Sequence, residues 1–202
     1  MKHTACAIVI PAAGASSRMQ GRDKLLELIK GEPLLARQTR RALATGAPVY
    51  VSTRSDRPAR PLALDSLTSR DLTLVPVPNP EAGLSASIGA AVEILPPDVH
   101  AVMVLLPDLP DLETSDLLTV MQAHTAMPDK ALRGTTADGT PGHPVVIPRE
   151  HFRALTLLTG DEGAAPLMRT LQPATIALPG DRAVTDLDTP EAWAAWRAEH
   201  GL

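Results

Sequence analysis

Short apolar runs alternate with helical patterns along most of the chain. Residues 7–10, "AIVI", form an unbroken aliphatic run that stops at Pro11, which predicts a buried strand. Residues 32–46, "EPLLARQTRRALATG", space their apolar positions at the helical period and end on Gly46, so a helix is predicted. Further strands are predicted at 48–53, 72–78 and 101–107. The last, "AVMVLLP", is apolar throughout, as a central parallel strand should be. Helices are predicted from near Ser85 and from Thr114, with Ser85 and Thr114 as their N-caps. The polar, proline-broken stretch 54–71, "RSDRPARPLALDSLTSRD", predicts a loop or a short helix.

Beyond residue 125 the pattern loosens. Strands are predicted at 131–136, 142–148 and 174–179, and helices at 161–171 and 189–200. Strand–helix alternation implies an α/β fold with a mostly parallel sheet covered on both faces. The second half implies a small mixed β subdomain at one edge. The expectation is one domain over 1–202, with two halves that meet near residue 125.

Composition narrows the classes. Hydrophobic residues make up 44% of the 202 positions, so the chain can bury a core. Aromatics are only 2%, and the formal net charge is −4. A nucleic-acid binder would carry a basic excess and stacking surfaces, so no nucleic-acid partner is expected. The single cysteine, Cys6, excludes an intrachain disulfide and a multi-cysteine zinc site. No run approaches the ~18 apolar residues of a membrane span, and the N-terminus reads as a strand and not as a signal peptide. The default location is cytoplasmic.

Chemistry concentrates in "PAAGASSRMQGRDKLL", residues 11–26, at the carboxyl end of the first strand, where open α/β sheets bind ligands. Ala12, Ala13 and Gly14 are small enough for close approach, and Gly14 can adopt positive φ. The N–H groups of such a loop, with Ser16 and Ser17, can face phosphate oxygens, while Arg18 and Lys24 add positive charge. The run is neither G-x-G-x-x-G nor a Walker A loop, and an ordinary βα loop with solvated basic residues is the competing reading. Asp108 follows the apolar strand 101–107 and is a candidate Mg²⁺ ligand, since Mg²⁺ takes one or two carboxylates beside phosphate oxygens. Asp111 fits a helix cap better. Asp186 and Asp188 in "TDLDTPEAW" are candidates for a second ligand, although "DTPE" also reads as a helix start.

These blocks together resemble the MobA-like nucleotidyltransferases. "AAGASSRMQGRDKLL" is similar to that family's A-A-G-x-S-x-R-M-G-x-x-K signature, and "NPEAGLSASIGAAV", "LLPDLPDL", "GTPGHPVVIP", "LTGDEGA" and "DLDTPEAW" match later family blocks in order. Within the family the chain is most similar to molybdenum cofactor cytidylyltransferases. The resemblance implies a Rossmann-like nucleotidyltransferase fold, three α/β/α layers of the GT-A-like kind, that uses Mg²⁺. It implies Arg18, Lys24 and Asp108 as catalytic residues, with Asp188 favoured over Asp186 as the second metal ligand. Ala12, Ala13, Gly14, Ser16, Ser17, Asn79, Gly83, Ser85 and Ser87 would hold the nucleotide, and His143 and Asp161 the acceptor. Ser85 and Asp161 also read as helix caps, and Asn79 as a turn former. The Ala-Ala-Gly loop is associated with cytidylyl enzymes in the family, which implies CTP. The acceptor would be a phosphorylated small molecule, most simply molybdopterin, and a molybdoenzyme would be the eventual recipient.

The chain departs from the pattern at Gln20, Leu109, Ala165 and Ala192. Ala165 stands where the family often has an arginine. Lys2, His3, His100, His124 and His200 read as peripheral. Methylerythritol phosphate cytidylyltransferases resemble the first loop but carry Pro-Lys-Gln where this chain has "DKLL". Guanylyl transfer to molybdopterin and a non-catalytic nucleotide-binding chaperone are the remaining alternatives.

Overall fold

A computed structural model describes residues 5–67 and 69–202; Lys2 and His3 lie outside them. The chain opens on β1 (Ala5–Pro11), whose residues Cys6–Pro11 are all buried. Beside it lie β4 (Val49–Thr53), then β5 (Leu72–Pro76), and on the other flank β6 (Val99–Val104). All these neighbours pair in parallel, with Ile8 opposite Val49 and Met103, and Val49 opposite Leu72. Parallel pairing brings the carboxyl ends of β1, β4 and β6 to one rim.

The second half does not form a separate sheet. β8 (Pro141–Pro148) pairs antiparallel to β6, β7 (Leu132–Thr135) pairs antiparallel to β8, and β9 (Ala174–Ala177) pairs parallel to β7. The mixed region foreseen at one edge is thus a continuation of the sheet itself, in the order β5-β4-β1-β6-β8-β7-β9. A two-stranded hairpin, β2 (Leu28–Ile29) with β3 (Glu32–Pro33), stands apart. Its strands are too short to leave a period in the sequence.

Alternation along the strands builds two cores. Ile8 and Ile10 face α1 (Leu34–Leu43) and α4 (Thr114–Ala126), joined by Leu35, Val51, Met103 and Leu117. Val9, Val102 and Val104 face α3 (Leu84–Glu93), α5 (Phe152–Thr156) and α6 (Ala165–Leu171), joined by Ile88, Phe152 and Met168. The result is a three-layer α/β/α arrangement. A smaller cluster of Met19, Ile29, Leu34, Leu187, Trp193 and Trp196 packs α7 (Pro190–Glu199) against the β2–β3 hairpin. No helix is long and apolar enough to cross a membrane among the described residues.

Several expected caps fall elsewhere. Helix α4 is capped at Glu113, whose N–H donates to Asp116 at 2.8 Å, while Thr114 Oγ1 donates to the Arg41 carbonyl at 3.0 Å. Asp111 instead accepts from the Trp196 indole N–H at 3.0 Å. The N-cap of α3 is Gly83, and Ser85 Oγ turns away to donate to the Gly163 carbonyl at 3.1 Å. Asp161 lies in a turn ahead of α6, whose N-cap is Ala164.

Candidate active site

The carboxyl-end rim opens into a cavity of about 760 Å³, within the range of small-molecule sites. One wall is the loop after β1. Pro11 still pairs with Ser52, and the Ala12 N–H donates to the Ser52 carbonyl at 3.1 Å, so Ala12 and Ala13 are buried behind the loop. The chain then reaches the cavity at Gly14, Ser16, Ser17 and Arg18. The expected positive φ falls on Ser16, at 53°, and not on Gly14. A Cβ on Gly14 would meet no atom within 4 Å, since the space before it is the cavity. The N–H groups of residues 13–16 have no hydrogen-bond partner among the described residues. A run of free amides beside an open cavity is a place for an anion.

Asp23 ends this loop by accepting from the Leu25 N–H at 3.1 Å, which caps the 3₁₀ turn Lys24–Leu26 and sends Lys24 into the cavity. Lys24 Nζ lies 2.5 Å from Asp108 Oδ2 and also binds Asp188 Oδ1. Arg18 Nη2 holds the other Asp188 oxygen at 2.7 Å. The Leu187 N–H donates to the Asp108 carbonyl at 3.0 Å, so the two aspartate segments are tied together by backbone. Thr189 Oγ1 caps α7 by accepting from the Ala192 N–H at 3.2 Å, which leaves the Asp188 carboxylate free of that task.

The electrostatics follow from this placement. Burial alone would lower the Lys24 pKa, but Asp108 and Asp188 more than reverse it, and its ammonium sits above the usual lysine range. Burial would likewise raise Asp188, yet the hydrogen bond and charge of Lys24, with Arg18, bring it below the ordinary carboxylate range. Asp186, without such cations, is pushed up by burial and by the charges of Asp188 and Asp108. Asp108 Oδ1 is buried with no hydrogen-bond partner among the described residues. Among the described residues no group of three or more His, Cys, Asp or Glu side chains is placed to hold a metal. Two carboxylates, one with an orphaned oxygen, instead suit a hard cation that completes its shell with phosphate oxygens.

His143, on β8, and Asp161, beside Gly83, also line the cavity. Burial pushes the His143 imidazole down to about 4, with Val104 backbone and the Asp108 charge only partly offsetting it. It is therefore neutral at pH 7. Gly83 and Ser87 line the cavity on the α3 side. The close approach at Gly83 is made by protein backbone. Its φ is 92°, and a Cβ there would lie 2.5 Å from the Gly160 carbonyl carbon.

The structure thus brings Gly14, Ser16, Ser17, Arg18, Lys24, Gly83, Ser87, Asp108, His143, Asp161 and Asp188 to one cavity. It does not bring Ala12, Ala13, Asn79 or Ser85 to its lining; Asn79 is exposed beside Pro80, which does line it. Sequence reasoning missed two buried arginines. Arg54 lines the cavity and pairs with Asp56 and Glu81. Arg60, 1% exposed, pairs with Asp23 at 2.8 Å. The available signal was the three-residue spacing of Arg54, Arg57 and Arg60 within "RSDRPAR".

An α/β/α sheet with a basic loop and paired aspartates at its carboxyl-end rim has the layout of the open α/β folds that bind phosphate-bearing ligands. Residues 8–175 match the MobA-like NTP transferase domain, and the chain belongs to that family. A probable molybdenum cofactor guanylyltransferase from Synechococcus elongatus is 34% identical over 117 residues, 58% of each chain. The chain thus spans about 58% of the length of that curated relative. Among solved structures, Rv0371c from Mycobacterium tuberculosis superposes with a TM-score of 0.81 at 25% identity, covering 96% of this chain and 98% of the other. A manganese complex of the same mycobacterial protein superposes at 0.74 and 21% identity, covering 94% and 95%.

Proposed function

We propose that this protein transfers a nucleoside monophosphate from a nucleoside triphosphate to a phosphate-bearing small molecule, with CTP as donor and molybdopterin as acceptor. The observation that carries this reading is the Lys24 ammonium between Asp108 and Asp188, beside a loop whose amides are free. A pure nucleotide binder has no need of that charge cluster beyond the phosphate loop. The nucleotide is assigned to the half up to about residue 125, and the acceptor to the half from about 126.

In this reading the free amides of residues 13–16 receive the triphosphate, while Arg18 and Lys24 offset the charge that develops on the departing pyrophosphate. The acceptor's terminal phosphate oxygen attacks the α-phosphorus of CTP. A new P–O bond forms there as the bond to the bridging oxygen breaks, and pyrophosphate leaves with the electron pair. The attacking group is already anionic near neutral pH, so no general base is required, and neutral His143 is left to position the acceptor with Asp161. Asp108 and Asp188 would hold Mg²⁺, which supplies neutralisation of phosphate charge. Lys24 must then give up part of its grip on both carboxylates.

Donor choice rests on the Ala-Ala-Gly loop, which resembles that of the cytidylyl enzymes. GTP is the second reading, favoured by the curated relative named as a guanylyltransferase. The test is pyrophosphate release with Mg²⁺ and each of CTP, GTP, ATP and UTP, offered molybdopterin, with and without molybdenum, or methylerythritol phosphate. Turnover with CTP and molybdopterin is expected, and EDTA should abolish it. Turnover with GTP alone would replace the donor, and turnover with methylerythritol phosphate alone would replace the acceptor. Tight CTP binding with no turnover on these acceptors would overturn both acceptor assignments and leave either a different phosphorylated acceptor or a nucleotide-binding chaperone.

A further inference from the structure

The segment between β4 and β5 carries Arg54, Arg57 and Arg60, the last on the short helix α2 (Ala59–Leu62). All three reach back more than 40 residues in sequence to carbonyls of the loop after β1. Arg60 Nη1 donates to the Ala12 carbonyl at 2.6 Å, Arg54 Nη1 to the Ala13 carbonyl at 3.2 Å, and Arg57 Nη2 to the Ala15 carbonyl at 3.0 Å. Arg60 also forks onto Asp23, at 2.8 and 3.0 Å, and its Nη2 reaches Ser16 Oγ at 3.0 Å. Asp23 is the residue that caps the turn bearing Lys24. Arg54 is fixed in turn by Asp56 and Glu81.

A trans peptide plane points its C=O and the following N–H in opposite directions. Drawing the carbonyls of Ala13 and Ala15 toward the arginines therefore turns the amides of Gly14 and Ser16 the other way. Gly14 and Ser16 line the cavity, and their N–H groups have no partner among the described residues. Burying a guanidinium is costly unless its donors are engaged in fixed geometry. Arg60, 1% exposed, makes four hydrogen bonds from its five N–H donors, all to loop groups.

We propose that Arg54, Arg57 and Arg60 are positioning residues, a clamp that sets residues 12–16 in the pose that receives the donor's triphosphate. The inference deepens the function proposed above and rests on its reading of that loop as the triphosphate site. It predicts that substitutions at Arg57 and Arg60, which do not line the cavity, act on the nucleotide and not on the acceptor.

The experiment uses the full chain with Arg57→Ala, Arg57→Lys and Arg60→Met. Three quantities are read: the KM values for CTP and molybdopterin, the melting temperature, and amide hydrogen exchange over residues 13–16 without nucleotide. Arg57 is partly exposed and touches only one carbonyl closely, so Arg57→Ala should fold normally. Its KM for CTP should rise about tenfold, the worth of one charge-assisted hydrogen bond, with the acceptor KM and melting temperature unchanged and exchange accelerated. Arg57→Lys, which keeps one donor, should restore most of the loss. Arg60→Met should cost about 10²-fold in kcat/KM for CTP, as misplacement of a binding loop does. Wild-type KM and exchange in Arg57→Ala would overturn the clamp, as would equal losses for both substrates tracking a fall in melting temperature. Wild-type protein that binds no nucleoside triphosphate would overturn the function reading instead, while exchange in the nucleotide-free variants still decides the clamp.

Discussion

Lys24 occupies the position that decides how the site behaves with and without a cation. Its ammonium is half-buried between two carboxylates, and both gain from it. Lys24→Ala would leave Asp108 and Asp188 facing each other across a low-dielectric space, so the variant should melt at lower temperature than wild type. Because Mg²⁺ would then replace the missing positive charge, added Mg²⁺ should raise the melting temperature of Lys24→Ala more than that of wild type. An equal Mg²⁺ response in the two proteins would sink the assignment of Asp108 and Asp188 as the cation site. Turnover should fall about 10²–10³-fold in both Lys24→Ala and Asp108→Ala, the usual cost of losing a charge-stabilising group, with Asp108→Ala remaining folded. Asp108 was legible in the sequence because it directly follows an apolar strand. The freedom of Asp188 was not, because only the structure shows Thr189 taking the cap of α7.

At the scale of elements, two glycines of the same cavity are kept for different reasons. Gly83 lets the turn around Gly160 dock on the start of α3: the Ser85 N–H donates to the Gly160 carbonyl and the Gly160 N–H to the Ala82 carbonyl, both at 3.1 Å. With φ at 92° and backbone at 2.5 Å, a methyl group has no room. Gly83→Ala should therefore destabilise the fold by more than about 1 kcal/mol and displace Asp161, raising the acceptor KM. Gly14→Ala places its methyl in open cavity, so its melting temperature should match wild type while the CTP KM rises. Thermal melts and KM values for both substrates separate the two, and a stability loss in Gly14→Ala would refute the contrast. The strands at β1, β4 and β6 were legible because short runs rich in β-branched residues are bounded by proline, at Pro11, Pro48 and Pro107. The β2–β3 hairpin and α2 were not, because two- and four-residue elements carry no period. The arginine clamp left only its three-residue spacing as a trace, because its partners are backbone carbonyls over 40 positions away.

For the whole molecule, the balance between folded and unfolded chains should respond to mild acid through two histidines. His124, on α4, is buried, and neither ring nitrogen has a hydrogen-bond partner among the described residues. Burial lowers its pKa, and the Lys130 backbone, outside hydrogen-bonding geometry, offsets this only in part. His143 is lowered from 6.5 to about 4 by burial. Both rings are thus neutral in the folded protein at pH values where the unfolded chain protonates them. The unfolded state then binds more protons, so stability falls as pH drops below 6.5, and the His143 contribution is fully lost only near 4. That shift corresponds to roughly 3 kcal/mol, or a fall in melting temperature on the order of 5–10 °C. Asp56 and Asp138, held below their ordinary values by hydrogen bonds from Arg54 and Thr136, lose their contributions at still lower pH. Asp186, raised by burial, works in the opposite sense. Melting curves between pH 7.5 and 4.5 should therefore slope downward in the wild type. The slope should flatten in a His124→Leu, His143→Gln double variant, which removes both titrating rings without adding a charge. His124→Leu alone should not lower stability at pH 7.5, since the ring gives up no hydrogen bond there. A double variant with the wild-type slope would show that carboxylates, and not these buried imidazoles, set the acid response.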